Sequence, residues 1–241
     1  MLLAAAFALL GCAIFGPSIA QPVHQHAFAD RRMWGGIPFA MDVLSNLSFA
    51  VWGFAGGLTL FGLLKRSQLN LEHALAGLFF AGLVLTATAS SWYHLRPDDV
   101  GLGVDRLGMV IAFAGLLGMV VAGRISHRAG AAISGAMLLL GPMSVWCWLA
   151  SANVLPWLAI QFGGMALIMW MAFIKPLEGA LAVRWGAVIV VYVIAKLLEA
   201  ADHQVYELTL HAISGHTLKH LVASFAAWPG LFWQRWCQLY A

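Results

Sequence analysis

Charge is scarce in this chain. Only 10% of its 241 residues are Asp, Glu, Lys or Arg, against 62% that are hydrophobic, and the mean hydropathy is +0.85. A soluble domain of that length could not hide so much apolar surface. The thirteen basic residues leave a formal net charge of only +3 and are scattered through short connections. No basic stripe follows a phosphate backbone, which argues against nucleic acid as a partner. Cysteine is equally thin. Cys12, Cys147 and Cys237 lie far apart without CxxC spacing, so neither a disulfide framework nor a thiolate metal site is expected. They read as small apolar filler. An internal repeat, a low-complexity tract and a loop long enough to house a soluble domain are missing too. What remains is an all-α, polytopic membrane protein that works within the bilayer or at its surface.

A hydrocarbon layer about 30 Å thick takes roughly 20 apolar residues to cross. Runs of that kind, bounded by charge, Pro or Gly, predict seven spans at 40–64, 73–95, 103–123, 129–150, 154–174, 183–201 and 212–234. Residues 21–241 then form one seven-helix membrane domain. Ahead of it, residues 1–20 are apolar but lack a basic start, and Ser18-Ile19-Ala20 resembles a small-residue cleavage site. This segment reads as a signal peptide or an extra helix. Lys65, Arg66, Arg124, Arg128, Lys175, Arg184 and Arg235 fall on one side, which the positive-inside rule makes cytoplasmic. The other side carries Arg31, Arg32 and Arg96 but is richer in acids, with Asp30, Asp98, Asp99, Asp202 and Glu207.

Ionisable side chains inside spans are costly and need a partner or a job. The second span ends in Ser90-Ser91-Trp92-Tyr93-His94, which puts Ser90 and His94 at i and i+4 on one helix face. The third opens with Asp105-Arg106 near the same membrane surface. The last contains His216-Thr217-Leu218-Lys219-His220, another i, i+4 pair. These five candidates, Ser90, His94, Asp105, His216 and His220, converge on the non-cytoplasmic end. Three imidazoles from two helices match a catalytic zinc site, which keeps its fourth position open to water. Zinc lowers the pKa of bound water towards about 7 and polarises carbonyls. Asp105 could then move the water's proton, and Ser90 could steady a developing oxyanion. The reaction class is metal-assisted hydrolysis of an ester or amide whose acyl chain lies in the bilayer.

Each element also has a plainer reading. A His pair can simply hydrogen-bond neighbouring helices, Ser can bond back to its own helix, and Asp105 can complement a helix N-terminus. Convergence of five residues from three spans is what favours a site. Lys196 and Glu199, at i and i+3 in the sixth span, read first as an internal ion pair that fixes helix packing.

The combination Ser90-x-x-x-His94, Asp105 and His216-x-x-x-His220 resembles the signature of the CREST superfamily of membrane hydrolases. Phe28-Ala29-Asp30-Arg31-Arg32, Gly35-Gly36-Ile37-Pro38, Ser45-Asn46-Leu47 and Ser214-Gly215-His216-Thr217-Leu218-Lys219-His220 look like its bacterial alkaline ceramidase branch, over residues 24–230. The resemblance implies a seven-helix zinc amidase that cleaves ceramide, or another N-acyl lipid, into an amine and a fatty acid. In that picture His94, His216 and His220 hold zinc, Asp105 activates water and Ser90 assists. Eukaryotic relatives also carry calcium before the first span, around an Asp-Trp-Cys-Glu run. That run is absent here, so a calcium site would rest on Asp30, Asp42 and Asn46. A bacterial inner membrane, with the site towards the periplasm, is the expected location. Competing readings are a receptor or sensor on the same scaffold, and a transporter or haem protein that uses the histidines as relays or axial ligands.

Overall fold

The computed structural model describes residues 11–64 and 70–228, and among them the chain is helical, without β-strands beyond two isolated bridges. The helices are α1 (Ala40–Ser45), α2 (Leu47–Leu64), α3 (Leu71–Leu95), α4 (Asp99–Ala122), α5 (His127–Ser151), α6 (Leu155–Ala172), α7 (Trp185–Ala200), α8 (Asp202–Leu208) and α9 (Gly215–Ser224). A single 3-10 turn, Phe225–Ala227, follows α9. Residues 11–15 are also helical, while the first ten residues of the N-terminal apolar segment lie outside the described residues.

The helix starts are written in the local sequence. Asn70 and His73 form a reciprocal capping box at α3, and Asp98 accepts from the Gly101 N–H to open α4. Ser126 and Ser214 cap α5 and α9 through the N–H groups of Ala129 and Thr217. In each case the side-chain oxygen satisfies a first-turn donor that has no partner within the helix. Pro156 stands in the first turn of α6, where a missing N–H costs nothing.

Among the described residues, five helical stretches are long and apolar enough to cross a membrane: Ala40–Gly62, Leu71–Leu95, Asp99–Ala122, His127–Ser151 and Leu155–Ala172. They correspond to the first five spans expected from sequence. The sixth expected span appears as α7, whose 16 residues reach about 24 Å at 1.5 Å per residue, short of the hydrocarbon thickness. The seventh appears as the ten-residue α9 and its 3-10 turn, and residues 229–234 of that expected span lie outside the described residues. Phe54, Leu58, Leu139, Trp146 and Leu197 are each more than half exposed on the outer faces of the helices. So much outward apolar surface suits a bilayer better than water.

α3 and α4 make the tightest crossing. Gly82 packs against the backbone of Ala112, and a Cβ at Gly108 would stand 2.9 Å from the Thr86 Cα. Small residues let two backbones approach this closely, as in many membrane helix pairs. Gly215 does the same for α9, since a Cβ there would meet the Leu198 carbonyl and lie 2.8 Å from the Asp202 Cα. The first approach fixes α3 on α4, and the second seats the start of α9 on the end of α7 and the start of α8.

Candidate metal centre

His94 lies one residue from the end of α3, where Pro97 forbids further helix, and the chain turns at once into α4. His216 and His220 lie one turn apart on α9, so both rings leave the same face. The three meet. Their ligating atoms all fall within 4.8 Å of one another, and the ring centroids are 4.8 to 5.1 Å apart. All three are buried, with exposures of 1%, 7% and 2%. Among the described residues this is the one group of three or more His, Cys or carboxylate side chains that could hold a metal ion.

Both ring nitrogens of His94 are buried without any hydrogen-bond partner. An unpaired buried polar atom costs about 1–3 kcal/mol, so two on one ring call for a ligand. His220 is better served. The Ser45 hydroxyl donates to the Asp42 carbonyl at 3.0 Å and contacts His220 Nδ1 at 2.8 Å. With its single proton so used, Ser45 Oγ accepts from His220 Nδ1–H, and Nε2 is left as the bare nitrogen. His216 is positioned through its backbone, whose N–H donates to Asp202 Oδ1 at 2.7 Å, while Asp202 Oδ2 takes the Ala29 N–H at 2.9 Å. The Thr217 hydroxyl donates to Asp42 Oδ1 at 2.6 Å, which ties α9 to α1. Phe28 closes the triad from the N-terminal loop, its ring 4.6 Å from that of His94 and 4.5 Å from that of His216.

A triad of imidazoles, two of whose unpaired nitrogens are sealed from water, fits a divalent ion that accepts nitrogen ligands and leaves a coordination position open. Asp105 and Ser90 are buried beside it but are not part of the ligand group. The Ser90 hydroxyl lies within reach of the Asp105 carboxyl, which is also within electrostatic reach of Lys219. All five residues singled out from sequence therefore share one neighbourhood.

The calcium expectation fares differently. Asp30 gives both oxygens to Arg32, Oδ1 at 2.9 Å from Nε and Oδ2 at 2.6 Å from Nη2. Asp42 Oδ2 and Asn46 Oδ1 are buried without a hydrogen-bond partner. The expected Lys196–Glu199 pair is present, and Lys219 joins it from α9. Ser45, Lys219, Phe28 and Asp202 went unassigned in the sequence reading. A small signal existed for Asp202, an acid just after the sixth expected span, but its burial at the start of α8 could not be read from the sequence. Compared with protein-family models, curated proteins and solved structures, the chain matches none of them.

Proposed function

We propose that this protein is a zinc-dependent membrane amidase that hydrolyses the N-acyl bond of ceramide or a related N-acyl lipid. The observation that carries the reading is the pair of buried, unpartnered nitrogens on His94 facing two further imidazoles. In this reading His94, His216 and His220 hold the ion, and Ser45 keeps His220 in the tautomer that ligates through Nε2. Zinc, when bound, supplies Lewis acidity towards a carbonyl oxygen and makes water a better nucleophile at neutral pH. Asp105 accepts the proton of the attacking water and returns it to the leaving amine. Ser90 assists by orienting the Asp105 carboxyl with the one proton of its hydroxyl. Burial of the whole set, with Phe28 over the rings, excludes bulk water and strengthens each of these contacts.

The resemblance to bacterial alkaline ceramidases supports the choice of amide over ester and of an acyl chain as the apolar part. It also supports counting α7 and the α9 segment as spans six and seven. The Lys and Arg bias of alternate loops supports an inner-membrane protein whose site faces the periplasm.

The test is elemental analysis of protein purified in mild detergent, wild type beside the His216→Ala, His220→Ala double variant. The expected result is about one zinc per wild-type chain, lost in a variant that stays folded, with free fatty acid released from ceramide or another N-acyl lipid by wild type alone. A folded wild type that takes up no zinc on reconstitution would sink the hydrolase mechanism.

A further inference from the structure

Two loops at the histidine end of the bundle hold large apolar side chains out in the open. Just before the first span, Trp34 and Ile37 exchange both backbone hydrogen bonds, at 3.1 and 3.0 Å, across a two-residue turn. Gly35 and Gly36 make that turn with φ of 58° and 82°, the left-handed pair that a tight hairpin needs. The hairpin leaves Met33 68% and Trp34 70% exposed. At the other loop, between α8 and α9, Leu208 is 83% and Leu210 88% exposed. Leu210 and His211 lie in the left-handed region, with φ of 53° and 64°, which is strained for residues that carry a Cβ. The Glu207 and Tyr206 carbonyls hold them there through the Leu210 and His211 N–H groups. Neither loop is slack, so the outward aim of these side chains is built in.

Arg32 joins the two loops. Its Nη2 donates to the Ala212 carbonyl at 2.9 Å, and its guanidinium lies 5.7 Å from the centre of the Tyr206 ring. An exposed apolar rim of this kind marks a contact surface, and the first span says what meets it. Ala40, where that span begins, donates its N–H to the Arg32 carbonyl at 3.0 Å. Trp34 follows Arg32 by two residues and so stands at most about 7 Å from it, even in fully extended chain. The headgroup layer is about 5–8 Å deep on each side of the hydrocarbon. Trp34 is therefore held within the depth of that layer. An indole, apolar in body with one N–H at its edge, is suited to it.

We propose that these two loops form one membrane-surface anchor, in which Met33, Trp34, Leu208 and Leu210 dip into the headgroup layer of the leaflet on the histidine side. The partner is the lipid surface itself. Because Phe28 and the Asp30–Arg32 pair lie on the same N-terminal loop as the hairpin, the anchor steadies from outside the segment that covers the triad.

The experiment is tryptophan quenching in nanodiscs that carry a single chain each. Eleven tryptophans contribute to the emission, so the Trp34 component is taken as wild type minus Trp34→Phe, a change at an exposed position that leaves the fold alone. The second loop is read by adding Leu210→Trp to the Trp34→Phe protein. Both components should lose intensity in phospholipid brominated near the glycerol end of its chains, resist aqueous iodide, and emit to the blue of tryptophan in water. Quenching by iodide without quenching by bromolipid would place the rim in water and overturn the proposal. Protection from both quenchers would mean that protein covers the rim, which would overturn it as well. Lipid quenching at Trp34 with iodide quenching at position 210 would break the two-loop anchor. If Leu210→Trp does not fold, Leu208→Trp takes its place in the same background. Neither zinc nor hydrolysis enters the measurement, so the anchor stands or falls apart from the amidase reading.

Discussion

Ser45 shows how much a single hydroxyl decides. Its one proton goes to the Asp42 carbonyl, so it receives the Nδ1–H of His220 and fixes the tautomer of that ring. Ser45→Ala should therefore weaken zinc binding by about 10- to 100-fold without unfolding the protein. Competition against a chelating dye, with the melting temperature as a control for folding, measures this. An unchanged zinc affinity would remove Ser45 from the site. His94, His216 and His220 were legible in the sequence because i, i+4 spacing puts two side chains on one face of one helix. Ser45 and Lys219 were not, because their partners come from other helices: Ser45 reaches 175 positions along the chain to His220, and Lys219 reaches Glu199 on α7.

Helix boundaries were largely legible where a cap spells them out. The expected span 73–95 is observed as Leu71–Leu95 and the expected span 103–123 as Asp99–Ala122, opened by Asn70 and Asp98. The expected span 183–201 is observed as Trp185–Ala200, whereas 212–234 is observed as the shorter Gly215–Ser224 with its 3-10 turn, residues 229–234 lying outside the described residues. A window of apolar residues counts hydropathy but does not register the change from α-helix to 3-10 turn at Phe225. The α3–α4 crossing had no sequence-level warning either, since its glycines matter only through what they face. Gly108 stands one turn beyond Asp105 and presses on Thr86, one turn before Ser90. Gly108→Val should thus cost about 1–3 kcal/mol of stability by overpacking and should also shift Asp105 relative to Ser90. Thermal unfolding in detergent, with zinc content and amidase activity read on the same samples, checks it. The expected pattern is a lower melting temperature and a larger loss of activity than of zinc.

Across the molecule, the N-terminal loop is what closes the site, and polar contacts with distant segments hold it there. Ala29 donates to Asp202, His203 donates to the Ala27 carbonyl at 2.8 Å, and Arg32 reaches the Ala212 carbonyl at 2.9 Å. Arg32 is aimed by Asp30. Burial pushes the Asp30 carboxyl up, but the Arg32 side chain and backbone N–H more than reverse this and hold it below its usual value. A carboxylate depressed in the folded state contributes stability that is present above its unfolded pKa, near 4, and is lost as pH falls through the folded value. Wild type should therefore lose melting temperature as pH drops below about 4. Asp30→Asn should start lower at neutral pH and lose less over that acid range. Equal acid slopes for the two proteins would show that this clamp does not couple the loop to the bundle.

Composition and hydropathy alone determined that the chain is helical and built for a bilayer, because an excess of apolar residues in runs of about 20 has few other outcomes. Helical periodicity determined that Ser90 and His94 share a face, and that His216 and His220 do. Only the tertiary structure decided that these faces meet, that Phe28 covers them, and that Ser45, Asp202 and Lys219 support them. The physical reason is range: hydrogen bonding within a helix is set by neighbours a few residues away, whereas the packing of one helix on another depends on residues far apart in the chain.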